Sequence, residues 1–184
     1  MEKTTKLTVP TYLTIARIIL VIPFVLALSI GGKGWMTFAL ILFIVASITD
    51  FFDGYLARKL GKTSEIGAFL DPLADKMLVD AALIGFVARD MIPFWMAAIF
   101  ICRDFAVDGI RMMAAKKGVT VAAALSGKCK TFVQMTAIIV LLLGNAIASG
   151  WVQLIGSVLI YGALLLSVYS GYQYVYYGWK KFFK

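Results

Sequence analysis

The sequence predicts an all-α, polytopic membrane protein with six transmembrane helices, and three observations lead to that fold class. Hydrophobic residues make up 61% of the 184-residue chain, and the mean hydropathy is +0.90, well above soluble domains. The apolar residues fall into six runs, each near the ~20 residues that a helix needs to cross a bilayer. No polar linker separates these runs, so we expect residues 1–184 to form one domain.

The six runs place the expected helices in order along the chain. Short connections join them, and most of these connections contain glycine, as turns between helices commonly do. The first run is too long for the apolar part of a typical secretory signal peptide, so we expect it to be retained. The expected helices lie near residues 12–31, 35–57, 67–88, 92–115, 128–148 and 151–177.

Lysine and arginine are distributed unevenly between the two sides that this topology creates. One side holds only Lys33 and Arg89 between helices. The other side carries most of the basic residues and both termini. Because basic loops remain in the cytoplasm, we expect this side to be the cytoplasmic side of a bacterial-type cytoplasmic membrane. The net charge of +8 suits contact with anionic membrane lipid, and nothing in it indicates nucleic acid. The basic residues of the cytoplasmic side are Lys3, Lys6, Arg58, Lys59, Lys62, Lys116, Lys117, Lys128, Lys130, Lys180, Lys181 and Lys184.

The histidine, cysteine and aromatic content of the chain limits the kinds of site that it can contain. The chain has no histidine, which excludes histidine-type zinc sites and Ser-His or Cys-His catalysis. Cys102 and Cys129 lack metal-ligand spacing, and we interpret them as small buried apolar residues. Aromatic residues at the ends of the runs are typical of membrane-interface anchors rather than ligand contacts. They are Tyr12, Trp35, Trp151, Tyr174, Tyr176, Tyr177 and Trp179.

Four aspartates stand at the ends of two neighbouring apolar runs. Asp50 and Asp53 are spaced i, i+3 in the second run, and Asp71 and Asp75 are spaced i, i+4 in the third, so each pair shares one helix face. A short loop joins the two helices, so we expect antiparallel neighbours whose carboxylates converge near the cytoplasmic surface. An unpartnered aspartate at the centre of a membrane helix costs roughly 3 kcal/mol, so a partner for these four is expected.

Divalent metal is the partner that fits this cluster. Close carboxylates repel one another unless a cation lies between them, and two magnesium ions match four negative charges. Magnesium prefers oxygen ligands and shares them with substrate phosphates, and two metals suit displacement at phosphorus. Gly54 and Gly67 remove side-chain bulk beside the cluster, which allows close helix approach or backbone contact with a ligand, and Ala57 continues this small face. Interhelical polar contacts or an ion pathway are the alternatives, which four aspartates at this spacing disfavour.

One segment carries a recognisable signature. The pattern Asp50-x2-Asp53-Gly54-x2-Ala57-Arg58-x8-Gly67-x3-Asp71-x3-Asp75 resembles that of the CDP-alcohol phosphotransferase family. The resemblance implies an integral membrane enzyme, usually homodimeric, that transfers a substituted phosphate from a CDP-linked donor to an alcohol and releases CMP.

The resemblance also implies residue roles. Asp50, Asp53, Asp71 and Asp75 would hold two magnesium ions, or manganese in their place, and Asp75 would also be the general base on the acceptor hydroxyl. The hydroxyl would attack phosphorus directly, without a covalent enzyme intermediate. The residues that would bind the CDP donor are Asp50, Asp53, Gly54, Ala57, Arg58, Gly67 and Asp71.

A second set of charges lies in the fourth and fifth runs. Charges within a span are expected to face the protein interior and pair, and Asp108 and Arg111 at i, i+3 form one expected ion pair. Arg111 and Lys130 lie at the cytoplasmic ends of their helices, where they can clamp an anionic acceptor phosphate. Lys128 and Arg103 are further candidates for this acceptor site. The alternatives are positive-inside loop charge for the lysines and structural ion pairs for the arginines.

These segments carry a narrower resemblance. Residues 103–111, residues 127–131 and Leu13-Thr14-x2-Arg17 resemble the phosphatidylglycerophosphate synthase branch of the same family. That branch uses CDP-diacylglycerol as donor and sn-glycerol 3-phosphate as acceptor. Asp108 departs from the branch pattern, in which a small hydroxyl residue is common, and its carboxylate repels an acceptor phosphate unless Arg111 neutralises it.

Three alternative functions remain at this stage. The nearest is another acceptor within the family, such as inositol phosphate or phosphatidylglycerol. An ion or metal transporter is a different class, but transporters typically place their site near the midplane of a repeated fold, whereas this cluster lies at one side and no repeat is visible. A non-catalytic scaffold is disfavoured by the cost of retaining four aspartates.

Overall fold

The structure, a computed structural model, contains six helices and no strand within the residues that it describes. It describes the backbone of residues 9–60, 65–116 and 125–182, and the side chains of residues 12, 14–49, 74, 76–114 and 125–176. Each of the six expected helices is present, which confirms the all-α class. The helices are α1 (Val9–Ile30), α2 (Lys33–Leu60), α3 (Glu65–Ala88), α4 (Phe94–Lys116), α5 (Leu125–Ala146) and α6 (Gly150–Phe182).

The helices pack in a closed circular order over their described parts. Helix α1 contacts α2 and α3, α2 contacts α5, α5 contacts α6, α6 contacts α4, and α4 returns to α3. Helices α3, α4, α6 and α5 therefore follow one another around the circle, in an order that differs from their order in the chain. The ends of α2 and α3 that carry the four aspartates have side chains outside the described residues.

The hydrophobic core occupies one end of the bundle. Phe24, Phe43, Phe86 and Phe100 are fully buried there, and the rings of Phe24 and Phe43 lie 5.8 Å apart between centroids. Each of the six helices contributes buried apolar residues to this cluster. Close packing of these side chains holds the bundle together, since lipid is as apolar as the core and supplies little driving force of its own.

A tight turn closes α1 at this end. Gly31 adopts a φ of +72°, which disfavours any residue with a Cβ atom. The Arg89 Nη1 atom donates to the Leu28 carbonyl oxygen at 3.1 Å, and a Cβ on Gly31 would lie 2.2 Å from that same nitrogen. Glycine therefore permits both the turn and an arginine that satisfies a carbonyl at the C-terminal end of α1.

Several helices carry outward-facing apolar surface. Within the described part of the chain, the segments Leu125–Ala146 and Gly150–Tyr176 are long and apolar enough to cross a membrane, and the apolar stretches Thr14–Ile30 and Lys33–Thr49 are shorter. Large apolar side chains such as Trp151 are exposed along α6.

The two cysteines also lie on the outside of the bundle. Cys102 and Cys129 are both exposed, so the expectation of buried cysteines is wrong. In a chain rich in lipid-facing apolar residues, apolar surroundings in the sequence do not by themselves indicate burial.

Candidate active site

A polar pocket lies at the end of the bundle opposite the hydrophobic core. Its volume is about 610 Å³, and residues from α3, α4, α5 and α6 line it. Among the described residues, five basic and two acidic side chains line it, so this part of the lining carries a net charge of +3. The charged lining residues are Lys76, Arg103, Asp104, Asp108, Arg111, Lys128 and Lys130.

A buried carboxylate organises the inner wall of the pocket. Asp104 on α4 accepts hydrogen bonds from Lys130 Nζ on α5, at 2.8 Å to Oδ1 and 2.7 Å to Oδ2. Arg103 Nη1 also donates to Asp104 Oδ1, at 2.8 Å. Lys130 is only 3% exposed, and such a buried ammonium group requires a paired anion. Two cations share one carboxylate, so this group retains a positive charge.

Arg103 reaches from α4 across to α6. Its Nη2 atom donates to Ser170 Oγ at 2.6 Å, and its Nε atom donates to the Ser167 carbonyl oxygen at 3.2 Å. Gly171 provides the space for this contact, because a Cβ there would lie 2.9 Å from Arg103 Cγ. These contacts fit the structural role that the sequence left open for Arg103, which also lines the pocket.

The partner of Asp108 differs from the expected one. Asp108 forms its ion pair with Lys76 of α3 rather than with Arg111. Because α4 packs against α3, a lysine from the neighbouring helix reaches the carboxylate. The repulsion that Asp108 would exert on an anionic ligand is therefore offset by Lys76 within the same pocket wall.

Arg111 has an aromatic partner on α6. Its Nη2 atom donates to the Tyr174 hydroxyl oxygen at 2.8 Å, and its guanidinium carbon lies 5.1 Å from the Tyr174 ring centroid. Tyr174 is 4% exposed and lines the pocket, so the expectation that it is an interfacial anchor is wrong. Tyr12, Trp35 and Trp151 are exposed, as anchors are.

Sequence reasoning missed several pocket residues. Lys76 and Tyr174 line the pocket, and Asp80, one turn after Lys76, interacts electrostatically with Asp104 and Lys130. One signal was available on α6, because a polar and small stripe at i, i+3, i+4 and i+7 interrupts an otherwise apolar helix. Its members are Ser167, Ser170, Gly171 and Tyr174.

The sequence-predicted residues divide into two groups. Arg103, Arg111, Lys128 and Lys130 all line the one pocket. The signature residues lie within the bounds of α2 and α3, but their side chains are outside the described residues. Among the side chains that are described, no group of three or more metal-ligating residues occurs. The signature residues are Asp50, Asp53, Gly54, Ala57, Arg58, Gly67, Asp71 and Asp75.

The chain is similar to a known family and to characterised bacterial proteins. The sequence model of the CDP-alcohol phosphatidyltransferase family matches residues 7–169. The CDP-diacylglycerol–glycerol-3-phosphate 3-phosphatidyltransferase of Bacillus subtilis (strain 168) is 45% identical over 140 residues, which cover 76% of this chain and 72% of that protein. The protein of the same name from Sodalis glossinidius (strain morsitans) is 38% identical over 177 residues, covering 93% and 94%.

A third relative carries a different name. The probable phosphatidylglycerophosphate synthase of Mycobacterium tuberculosis (strain ATCC 25618 / H37Rv) is 39% identical over 166 residues, which cover 89% of this chain and 78% of that protein.

Proposed function

The chain belongs to the CDP-alcohol phosphatidyltransferase family, and we propose that it is a CDP-diacylglycerol–glycerol-3-phosphate 3-phosphatidyltransferase. It transfers the phosphatidyl group of CDP-diacylglycerol to sn-glycerol 3-phosphate, giving phosphatidylglycerophosphate and CMP. The observation that carries this proposal is the pocket, whose described lining residues carry a net charge of +3 and include Lys76, the residue directly after Asp75 of the family signature. Relatives similar over most of their length carry the name of this reaction.

The proposed organisation is one integral membrane domain, residues 1–184, with six transmembrane helices. The supporting observations are six helices in an apolar chain and basic residues concentrated at one end of the bundle. By the positive-inside rule, both termini and the pocket lie on the cytoplasmic side. The acyl chains of the donor lie in the bilayer, the polar acceptor enters from the cytoplasm, and the enzyme is a homodimer, as the family resemblance implies.

The donor site is assigned to the signature on α2 and α3. The residues proposed to line the cytidine diphosphate pocket are Asp50, Asp53, Gly54, Ala57, Arg58, Gly67 and Asp71. Asp50, Asp53, Asp71 and Asp75 provide oxygen donors alone, the donor set that magnesium prefers, and they hold two magnesium ions, or manganese in their place. When bound, the metal supplies electrostatic stabilisation of the charge that develops on the diphosphate.

The chemical step is assigned to Asp75. Its carboxylate accepts the proton of the primary hydroxyl of sn-glycerol 3-phosphate, and the resulting oxygen attacks the phosphorus that carries diacylglycerol. A new phosphorus–oxygen bond forms as the bond to the CMP oxygen breaks, and the electron pair leaves with CMP. Direct displacement needs no covalent enzyme intermediate.

The acceptor phosphate is assigned to Arg111, Lys128, Lys130 and Arg103. A dianionic phosphate complements the net charge of +3 on the described residues of the lining. An ammonium group has three donors, so the two contacts of Lys130 with Asp104 leave one for the ligand. The pairing of Asp108 with Lys76 removes the main repulsive feature of the site.

A labelled-acceptor screen tests the proposal. Purified protein in micelles is given CDP-diacylglycerol and magnesium, with radiolabelled sn-glycerol 3-phosphate, inositol phosphate or phosphatidylglycerol in separate reactions. We expect labelled lipid and stoichiometric CMP with sn-glycerol 3-phosphate, and none in excess EDTA. Transfer to inositol phosphate or phosphatidylglycerol instead would assign a different acceptor within the family, and full turnover in EDTA would exclude metal-dependent chemistry.

A further inference from the structure

Tyr174 lies beside two of the pocket arginines. Its hydroxyl oxygen accepts the hydrogen bond from Arg111 Nη2 at 2.8 Å. The guanidinium carbons of Arg111 and Arg103 lie 5.1 Å and 5.9 Å from its ring centroid, within the range of cation–π attraction. We infer that Tyr174 is a positioning residue that holds the Arg111 guanidinium in the pocket for the acceptor phosphate, an inference that rests on the proposed function.

The two residues differ in how firmly the fold holds them. Arg111 is exposed, and a long, exposed side chain loses conformational entropy when one rotamer is selected. Tyr174 is 4% exposed, and its side chain has few torsions to fix. Nearby, Ser126 Oγ donates to Gln173 Oε1 at 2.7 Å, which ties the start of α5 to this part of α6. The buried Tyr174 side chain therefore provides a rigid partner for the long, exposed side chain of Arg111.

The chemistry of the partner matters as much as its rigidity. Lys130 and Arg103 are held by the carboxylate of Asp104, which neutralises part of their charge. Tyr174 offers a hydroxyl in place of a carboxylate, so it orients Arg111 without acting as a counter-ion. Arg111 thus keeps its full charge for a dianionic ligand, and it can still form charge-assisted hydrogen bonds through its other N–H groups.

A double-mutant comparison tests this role. Tyr174→Phe removes the hydroxyl and keeps the ring, Arg111→Ala removes the cation, and the double variant combines both. Tyr172→Phe is the matched control, since Tyr172 lies on the same helix and is 67% exposed. We expect Tyr174→Phe to raise the KM for sn-glycerol 3-phosphate by about 3- to 10-fold, the range of one net hydrogen bond, with the KM for CDP-diacylglycerol unchanged.

The double variant provides the decisive readout. If the hydroxyl acts through Arg111, the double variant has the acceptor KM of Arg111→Ala alone. Multiplicative effects would mean that the hydroxyl acts on the substrate independently of Arg111. An equal rise in both KM values, or a lower Tm with unchanged KM values, would reduce Tyr174 to a structural residue and overturn the inference.

A measurement without turnover separates this inference from the proposed function. The chain has five arginines, so the Nε–H signal of Arg111 in ¹⁵N-arginine-labelled protein can be assigned by its loss in Arg111→Ala. We expect this signal to become more mobile in Tyr174→Phe and to remain unchanged in Tyr172→Phe. An immobile Arg111 in Tyr174→Phe overturns the positioning role. A mobile Arg111 with an unaltered acceptor KM contradicts the proposed acceptor site instead.

Discussion

Both ends of the helix bundle contain buried side chains, but these side chains interact in different ways. At one end, α5 contributes Ala137, Ile138 and Leu141 to an apolar core; toward the other end the same helix buries Lys130 and Gln134. The apolar end is stabilised by close packing, in which each side chain fits many neighbours. The polar end retains charges that must be paired at a desolvation cost. Replacing a buried ion pair by apolar residues often improves stability, so the polar end is explained by function rather than by folding.

The largest expected effect is the loss of stability caused by removing a buried ring at the apolar end. Phe43→Ala removes a fully buried ring and should lower the free energy of unfolding by about 3 kcal/mol, the lower end of the range for such changes, because lipid is itself apolar. Phe38→Ala, on the same helix at 42% exposure, is the control and should have a much smaller effect. Denaturation in mixed micelles measures both. Similar losses for the two variants would contradict a packed core at this end.

Substitution of a signature aspartate at the polar end is expected to reduce catalysis and leave stability nearly unchanged. Asp75→Asn should reduce kcat by about 10²-fold or more, the usual effect of losing a general base, while CDP-diacylglycerol binding and Tm change little. Single-turnover kinetics and a donor-binding assay measure the two quantities. Retention of more than about a tenth of the wild-type rate would contradict the role of Asp75 as the base.

A smaller and more selective effect is expected from the basic side chains of the pocket. Arg111→Ala and Lys130→Ala should each raise the KM for sn-glycerol 3-phosphate by about 10- to 100-fold, the value of one charge-assisted contact. The KM for CDP-diacylglycerol should remain nearly constant. Lys33→Ala, an exposed charge at the apolar end, controls for net charge. Equal effects on donor and acceptor would place the acceptor site elsewhere.

The smallest effect tests how closely α6 must approach α4. Gly171→Ala places a Cβ 2.9 Å from Arg103 Cγ, so Arg103 must shift, and we expect the acceptor KM to rise by about 2- to 5-fold, the size of a weakened hydrogen bond. Gly162→Ala is the matched control on the same helix, because nothing lies within 4 Å of its added Cβ. Steady-state kinetics on the two variants is the measurement, and identical acceptor KM values would show that Arg103 tolerates the displacement.

The sequence by itself determined the six helices, the family and four of the basic residues of the pocket. The six apolar runs of the sequence correspond to six helices, because helix formation satisfies the backbone hydrogen bonds within one segment. Four basic residues were predicted to share one site from their charge and their positions in the fourth and fifth runs, because a charge within an apolar run is costly unless it faces the protein interior. All four line the pocket: Arg103, Arg111, Lys128 and Lys130. The spacing of the aspartate signature was sufficient to name the family.

Only the tertiary structure decided which side chains are partners. Asp108 pairs with Lys76, and Arg111 bonds to Tyr174, because α4 lies between α3 and α6 in the circular order, which no local pattern reveals. The sequence also did not indicate that Tyr174 is buried or that Cys102 is exposed. In a membrane protein, apolar residues face both lipid and core, so hydrophobic periodicity is weak and does not indicate which face of a helix is buried.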